Sequence, residues 1–69
     1  MVTIQLNGSP HSIPSNTTIS QLIDQLELDT HSVIAELNGE IHSREKWSTA
    51  ILEASDTLEL LHFLGGGSV

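Results

Sequence analysis

The sequence predicts an α+β domain: a mixed sheet of four to five strands with one main helix packed on one face. Three observations carry that prediction. Asn-Gly occurs twice between strand-like runs, at Asn7-Gly8 and Asn38-Gly39, and this pair is the strongest short hairpin signal. One stretch alone shows helical periodicity, with Ile19, Leu22, Ile23 and Leu26 at i, i+3, i+4 and i+7, a single apolar stripe. The last and longest strand-like run, 57–64, comes at the end of the chain, where it must pair with something earlier.

Taken in order, Val2, Ile4 and Leu6 alternate with Thr3 and Gln5, the period of a half-buried strand. Asn7-Gly8-Ser9-Pro10 reads as the turn, and His11-Ser12-Ile13 as a short return strand stopped by Pro14. Ser15-Asn16-Thr17-Thr18 is loop chemistry. Thr18 is placed to cap the helix, with Gln21 three residues on completing a capping box. Ser20, Gln21, Asp24 and Gln25 face water over two to three turns. Val33-Ile34-Ala35-Glu36-Leu37 is a third strand, and Glu40-Ile41-His42 its return across Asn38-Gly39. Ser43-Arg44-Glu45-Lys46-Trp47 reads as a short helical turn with Trp47 plugging the core. Ser55-Asp56 is a turn into the final strand.

One helix can bury its stripe only against one face of the sheet. A compact solution sets the last strand parallel to the first with the helix across them, which is the β-grasp or ubiquitin-like arrangement. The expected division is a folded domain over residues 1–64 and a flexible glycine-rich tail over residues 65–69.

The composition argues against a self-sufficient enzyme. A chain of 69 residues buries only about 60% of its unfolded surface, leaving little room for a substrate-sized cleft. With no cysteine, disulfides and thiolate metal sites are excluded. Nine acidic residues against two basic ones give a net charge of −7, which disfavours nucleic acid and favours a partner with a basic surface. The N-terminal run has no basic n-region and no stretch approaches the ~20 apolar residues of a membrane span. A cytoplasmic monomer without membrane attachment is expected.

In the last strand, Leu58, Leu60, His62 and Leu64 share one face, while Thr57, Glu59, Leu61 and Phe63 share the other. With Leu58 and Leu60 inward, Leu61 and Phe63 point away from the helix, onto a face with nothing to cover it. They read as a partner-docking surface together with Leu64 and Gly65; the alternative is a minor edge cluster with Ile34. Gly65-Gly66-Gly67 follows, too flexible and too bare to serve packing. Glycine threads a narrow channel and brings its acyl carbon near a nucleotide without a clashing Cβ.

These features resemble the ThiS sulfur carriers of bacterial thiamine biosynthesis. The likeness rests on Ile4-Gln5-Leu6-Asn7-Gly8, Glu36-Leu37-Asn38-Gly39-Glu40-Ile41, Arg44-Glu45-Lys46-Trp47, Asp56, and Leu60-Leu61-His62-Phe63-Leu64-Gly65-Gly66-Gly67. The resemblance implies a carrier with no catalytic residue and no bound cofactor. Its terminal glycine carboxyl would be adenylated with ATP by a ThiF-type activating enzyme and converted to a thiocarboxylate. A ThiG-type thiazole synthase would then take the sulfur for the thiazole phosphate. Gly66 and Gly67 match the terminal pair, so by this resemblance Gly67 would bear the adenylate and then the sulfur. Ser68-Val69 departs from that pattern, as do Ser43 where proline is frequent and Ser55 where a turn glycine is common. Carriers for molybdopterin synthase or for cysteine or tRNA thiolation, an isopeptide-forming modifier, and a plain binding module remain as alternatives.

The other candidate groups read as structural. His11, His31, His42 and His62 lack metal-ligand spacing. Glu36 and Glu40 flank a turn without a pocket. Arg44 and Lys46 are expected to form a structural ion pair with a nearby acid.

Overall fold

The structure is a computed structural model and describes residues 1–62. Five strands, β1 (Val2–Leu6), β2 (Ser9–Ile13), β3 (Val33–Leu37), β4 (Glu40–His42) and β5 (Thr57–His62), form one sheet in the order β2-β1-β5-β3-β4. Helix α1 (Ile19–Gln25) and two 3-10 turns, Thr30–Ser32 and Arg44–Lys46, complete the elements. β5 runs parallel to β1 and antiparallel to β3, the expected β-grasp topology.

The first hairpin is tighter than the sequence reading. Asn7 and Gly8 have φ of 50° and 86°, the two left-handed positions of a type I′ turn whose twist matches the strands. β2 therefore starts at Ser9, two residues before His11, and contains Pro10 opposite Gln5. Proline is tolerated there because β2 is an edge strand, where a missing N–H breaks no ladder bond. The second turn repeats the geometry, with Asn38 at φ 51° and Gly39 at 88°.

Thr18 caps α1 as expected: its hydroxyl accepts from Gln21 N at 3.1 Å and Gln21 Oε1 accepts from Thr18 N at 2.9 Å. The helix ends in a Schellman arrangement, Glu27 N to Asp24 O at 3.0 Å and Leu28 N to Ile23 O at 3.3 Å, with Glu27 at φ 58° where glycine is usual. Ile19, Leu22 and Ile23 are fully buried, each such side chain stabilising the fold by about 1.5–3 kcal/mol. They meet Ile4, Ile13, Ala35, Leu58 and Leu60 from the sheet, with Trp47 and Leu52 closing the core. Trp47 Nε1 donates to His42 O at 2.9 Å, so the indole is buried without an orphaned donor. Leu52 is a core residue that periodicity does not reveal. It sits in irregular chain, held by its N–H to Thr17 O at 2.8 Å.

The two turn asparagines also hold β5. Asn7 Oδ1 accepts from Leu60 N at 2.8 Å, and Asn38 Oδ1 accepts from Thr57 N at 2.9 Å while its Nδ2 donates to Asp56 at 3.1 Å. β1 pairs with β5 only at Gln5↔Thr57 and Leu6↔Leu58, so the Asn7 carboxamide takes over where the strand ends. Asn7→Gly keeps the backbone conformation and removes that acceptor; it should cost about 1 kcal/mol. Asn7→Ala should cost roughly 1 kcal/mol more, for a Cβ in the left-handed region. Urea unfolding midpoints of the two variants check both values.

Candidate functional site

The face of the sheet opposite α1 carries no covering element among the described residues. Alternation and register place Thr3 and Gln5 of β1, Thr57, Glu59 and Leu61 of β5, Ile34 and Glu36 of β3, and Ile41 of β4 on it. Most of these are polar. At the end where β5 leaves the sheet, three are large and apolar. Leu61 is 53% exposed, Ile34 directly opposite it 39%, and Ile41 70%.

Leu61 therefore stands where the sequence places it. Ile34 is its cross-strand partner, the residue named in the edge-cluster alternative, and both side chains remain partly open to water. Ile41 is the member that sequence reading missed. The signal was available: a two-residue turn at Asn38-Gly39 fixes Glu36↔Ile41, which puts Ile41 beside Ile34 on the outer face. Phe63, Leu64, Gly65, Gly66 and Gly67 lie outside the described residues.

Glu36 and Glu59 face each other directly in the β3–β5 ladder, next to Leu61 and Ile34. Both are half-buried, and neither belongs to an ion pair among the described residues. Like charges in this position disfavour the pairing. Glu40, the other half of the sequence-level carboxylate pair, is exposed at the start of β4, and Glu36 looks toward Glu59.

The cations sit elsewhere. Arg44 and Lys46 lie on the 3-10 turn after β4, and the expected ion pair is absent: the salt bridge among the described residues joins His31 and Asp29 at 3.6 Å. The adjacency of Arg44 and Lys46 to Glu45 does lower that carboxyl, after the larger effects of its own backbone N–H and the Ser43 side chain. Asp29 is held below its usual value chiefly by the backbone N–H of His31, then by the Ser32 hydroxyl. His62 faces Val33 at the last rung of the sheet and is exposed. A shallow open groove of about 290 Å³ runs along this edge between Val33, Ile34, Ile41, His42, Arg44 and Trp47. Among the described residues no three His, Asp or Glu side chains are grouped to hold a metal ion, and no helix is long and apolar enough to cross a membrane.

The arrangement offers a surface and an exit rather than a reaction centre. A single substitution separates the two faces of β5. Leu61→Asp should change stability by no more than about 0.5 kcal/mol, as at an exposed position. Leu60→Asp puts an unpaired carboxylate in the core and should unfold the domain. Thermal unfolding followed by circular dichroism distinguishes them.

Comparison with known proteins is consistent with this geometry. A profile described as the ThiS family matches residues 4–67. The sulfur carrier protein ThiS of Bacillus subtilis is 37% identical over 65 residues, covering 93% of this chain and 98% of that protein. A thiazole synthase of Magnetococcus marinus is 36% identical over 64 residues, 93% of this chain, and the chain spans only 20% of that protein's length. The crystal structure of a thiamine biosynthesis protein (ThiS) from Geobacter metallireducens superposes with a TM-score of 0.82 at 29% identity, covering 96% of this chain and all of that one.

Proposed function

The chain belongs to the ThiS family and is a sulfur carrier protein of thiamine biosynthesis, not a catalyst; from that premise we propose that the atom it lends to the chemistry is the carboxyl carbon of Gly67. One observation carries this reading. The family match runs to Gly67 and stops there, five residues after His62, the exposed strand end that opens onto the apolar patch.

A carboxylate is a poor electrophile because its oxygen leaves badly. In the proposed cycle a ThiF-type activating enzyme transfers AMP from ATP to the Gly67 carboxylate, releasing pyrophosphate. A sulfide equivalent then attacks the acyl carbon, the C–O bond to AMP breaks, and a thiocarboxylate remains. A chain without cysteine thus carries sulfur as its own terminal C(O)S⁻. No base on this chain is required and no cofactor is resident; ATP belongs to the partner. Gly65 and Gly66 give the arm a backbone free of Cβ atoms, so that the carboxyl can reach a nucleotide in a narrow channel.

The sulfur is handed to a ThiG-type thiazole synthase in the cytoplasm. Two thiazole synthases that contain a segment similar to most of this chain support that pairing, since sequences joined in one polypeptide commonly act together. In this reading residues 1–64 are the folded handle and residues 65–69 the arm, and Leu61, Phe63, Leu64 and Gly65 bear on the partner. Ser68-Val69 follows Gly67 in the sequence, so a free Gly67 carboxyl requires hydrolysis of the Gly67–Ser68 peptide bond by a peptidase.

Intact-mass analysis after incubation with ATP, an activating enzyme and a sulfide source tests the assignment. The chain ending at Gly67 should gain the mass of one sulfur replacing one oxygen, and the 69-residue chain should not. Equal conversion of both forms would show that Gly67 is not the reactive residue. A lysine-linked conjugate in place of the thiocarboxylate would mark a protein modifier.

A further inference from the structure

Among the described residues, which include every lysine, arginine and histidine of the chain, the Glu36–Glu59 pair has no ion-pair partner. It is set in the middle of the open sheet face, against Leu61, Ile34 and Ile41. Two half-buried carboxylates opposed across a ladder weaken the isolated domain, and glutamine or threonine would serve an idle surface better. The feature makes physical sense when a cation from outside lies between them, flanked by apolar side chains that cover the exposed trio.

We propose that this face selects its partner by charge: the contact surface of the thiazole synthase presents one arginine or lysine that seats between Glu36 and Glu59, with apolar side chains around it resting on Ile34, Ile41 and Leu61. The occupant follows from three observations. The net charge of −7 calls for a basic partner surface. The face is continuous with the strand end from which the arm departs, so whatever holds the arm touches it. Two thiazole synthases carry a segment similar to most of this chain within their own polypeptide. The inference deepens the synthase reading proposed above and rests on it. A guanidinium is the better fit of the two cations, because its planar fork can donate to both carboxylates at once.

The arrangement makes stability and binding respond in opposite directions. Glu36→Gln and Glu59→Gln remove one charge each with little change in shape. Each should raise the melting temperature of the free chain by about 1–4 °C and weaken binding to a purified ThiG-type thiazole synthase at least about tenfold. The double variant should also lose most of the salt dependence of binding. Asp24→Asn, on the exposed side of α1 away from this face, removes the same charge and should leave the affinity unchanged. Titration calorimetry at low and high salt, with thermal unfolding of each free variant, reads all of these. Glutamine variants that bind like the original chain would overturn the charge contact while leaving the synthase as partner. Equal losses in the Asp24→Asn chain would overturn it in favour of net-charge attraction. A lowered melting temperature in the Gln variants would show the two carboxylates already satisfied within the fold and also count against it. Failure of the unaltered chain to bind the synthase would overturn the partner and the contact together.

Discussion

The seating of β5 between β1 and β3 is the constraint on which the rest of the structure depends. Among the described residues it is the last element in sequence and the central strand in space, so the sheet is two separate hairpins until it arrives. Its inward side chains, Leu58 and Leu60, complete the core under α1. Its backbone is bonded on both sides: Gln5 N and Asn7 N donate to Asp56 O at 2.8 Å and Leu58 O at 2.9 Å, and β3 pairs with it over five positions from Val33↔His62 to Leu37↔Leu58. Most of these contacts join residues far apart in sequence, the kind of pairing that slows folding because loop closure must come first. The parallel partner is short, and the Asn7 side chain substitutes for it at Leu60.

That constraint links fold to carrier function. A carrier must give its end to another protein without coming apart, and the strand leading toward that end is paired with a neighbour on both sides. The same strand has two faces with different duties: Leu58 and Leu60 hold the core, while Glu59 and Leu61 look outward with Glu36, Ile34 and Ile41. The outer surface therefore runs to the end of β5 at His62. Little else on the described residues has chemical potential, and the groove at the β3–β4 edge is shallow and open.

Much of this was legible in the residues. The Asn-Gly pairs announce both hairpins because only a left-handed turn suits their twist, and the Thr18–Gln21 box announces the helix because both partners of the reciprocal bond are in the sequence. The inward and outward sets of β5 follow from alternation alone. What escaped depends on tertiary context. Pro10 reads as a turn residue until β2 is known to be an edge strand. Leu52 carries no period because irregular chain holds it. Ile41 joins Leu61 only through the register of two ladders. Glu27 and Ser55, at φ 58° and 72°, occupy left-handed positions that the residue types do not signal. Arg44 and Lys46 suggest an ion pair by their rarity, yet neither forms a salt bridge among the described residues.

Native-state hydrogen exchange at the Leu60 amide tests the dependence on β5 most directly. That amide donates to a side chain rather than to a strand, at the last buried residue of β5. The account predicts exchange only through global unfolding, with the same free energy and denaturant dependence as the Glu59 amide beside it. Exchange at Leu60 through a small local opening, with Glu59 still protected, would contradict it, because β5 would then be loose on its β1 side before the arm begins.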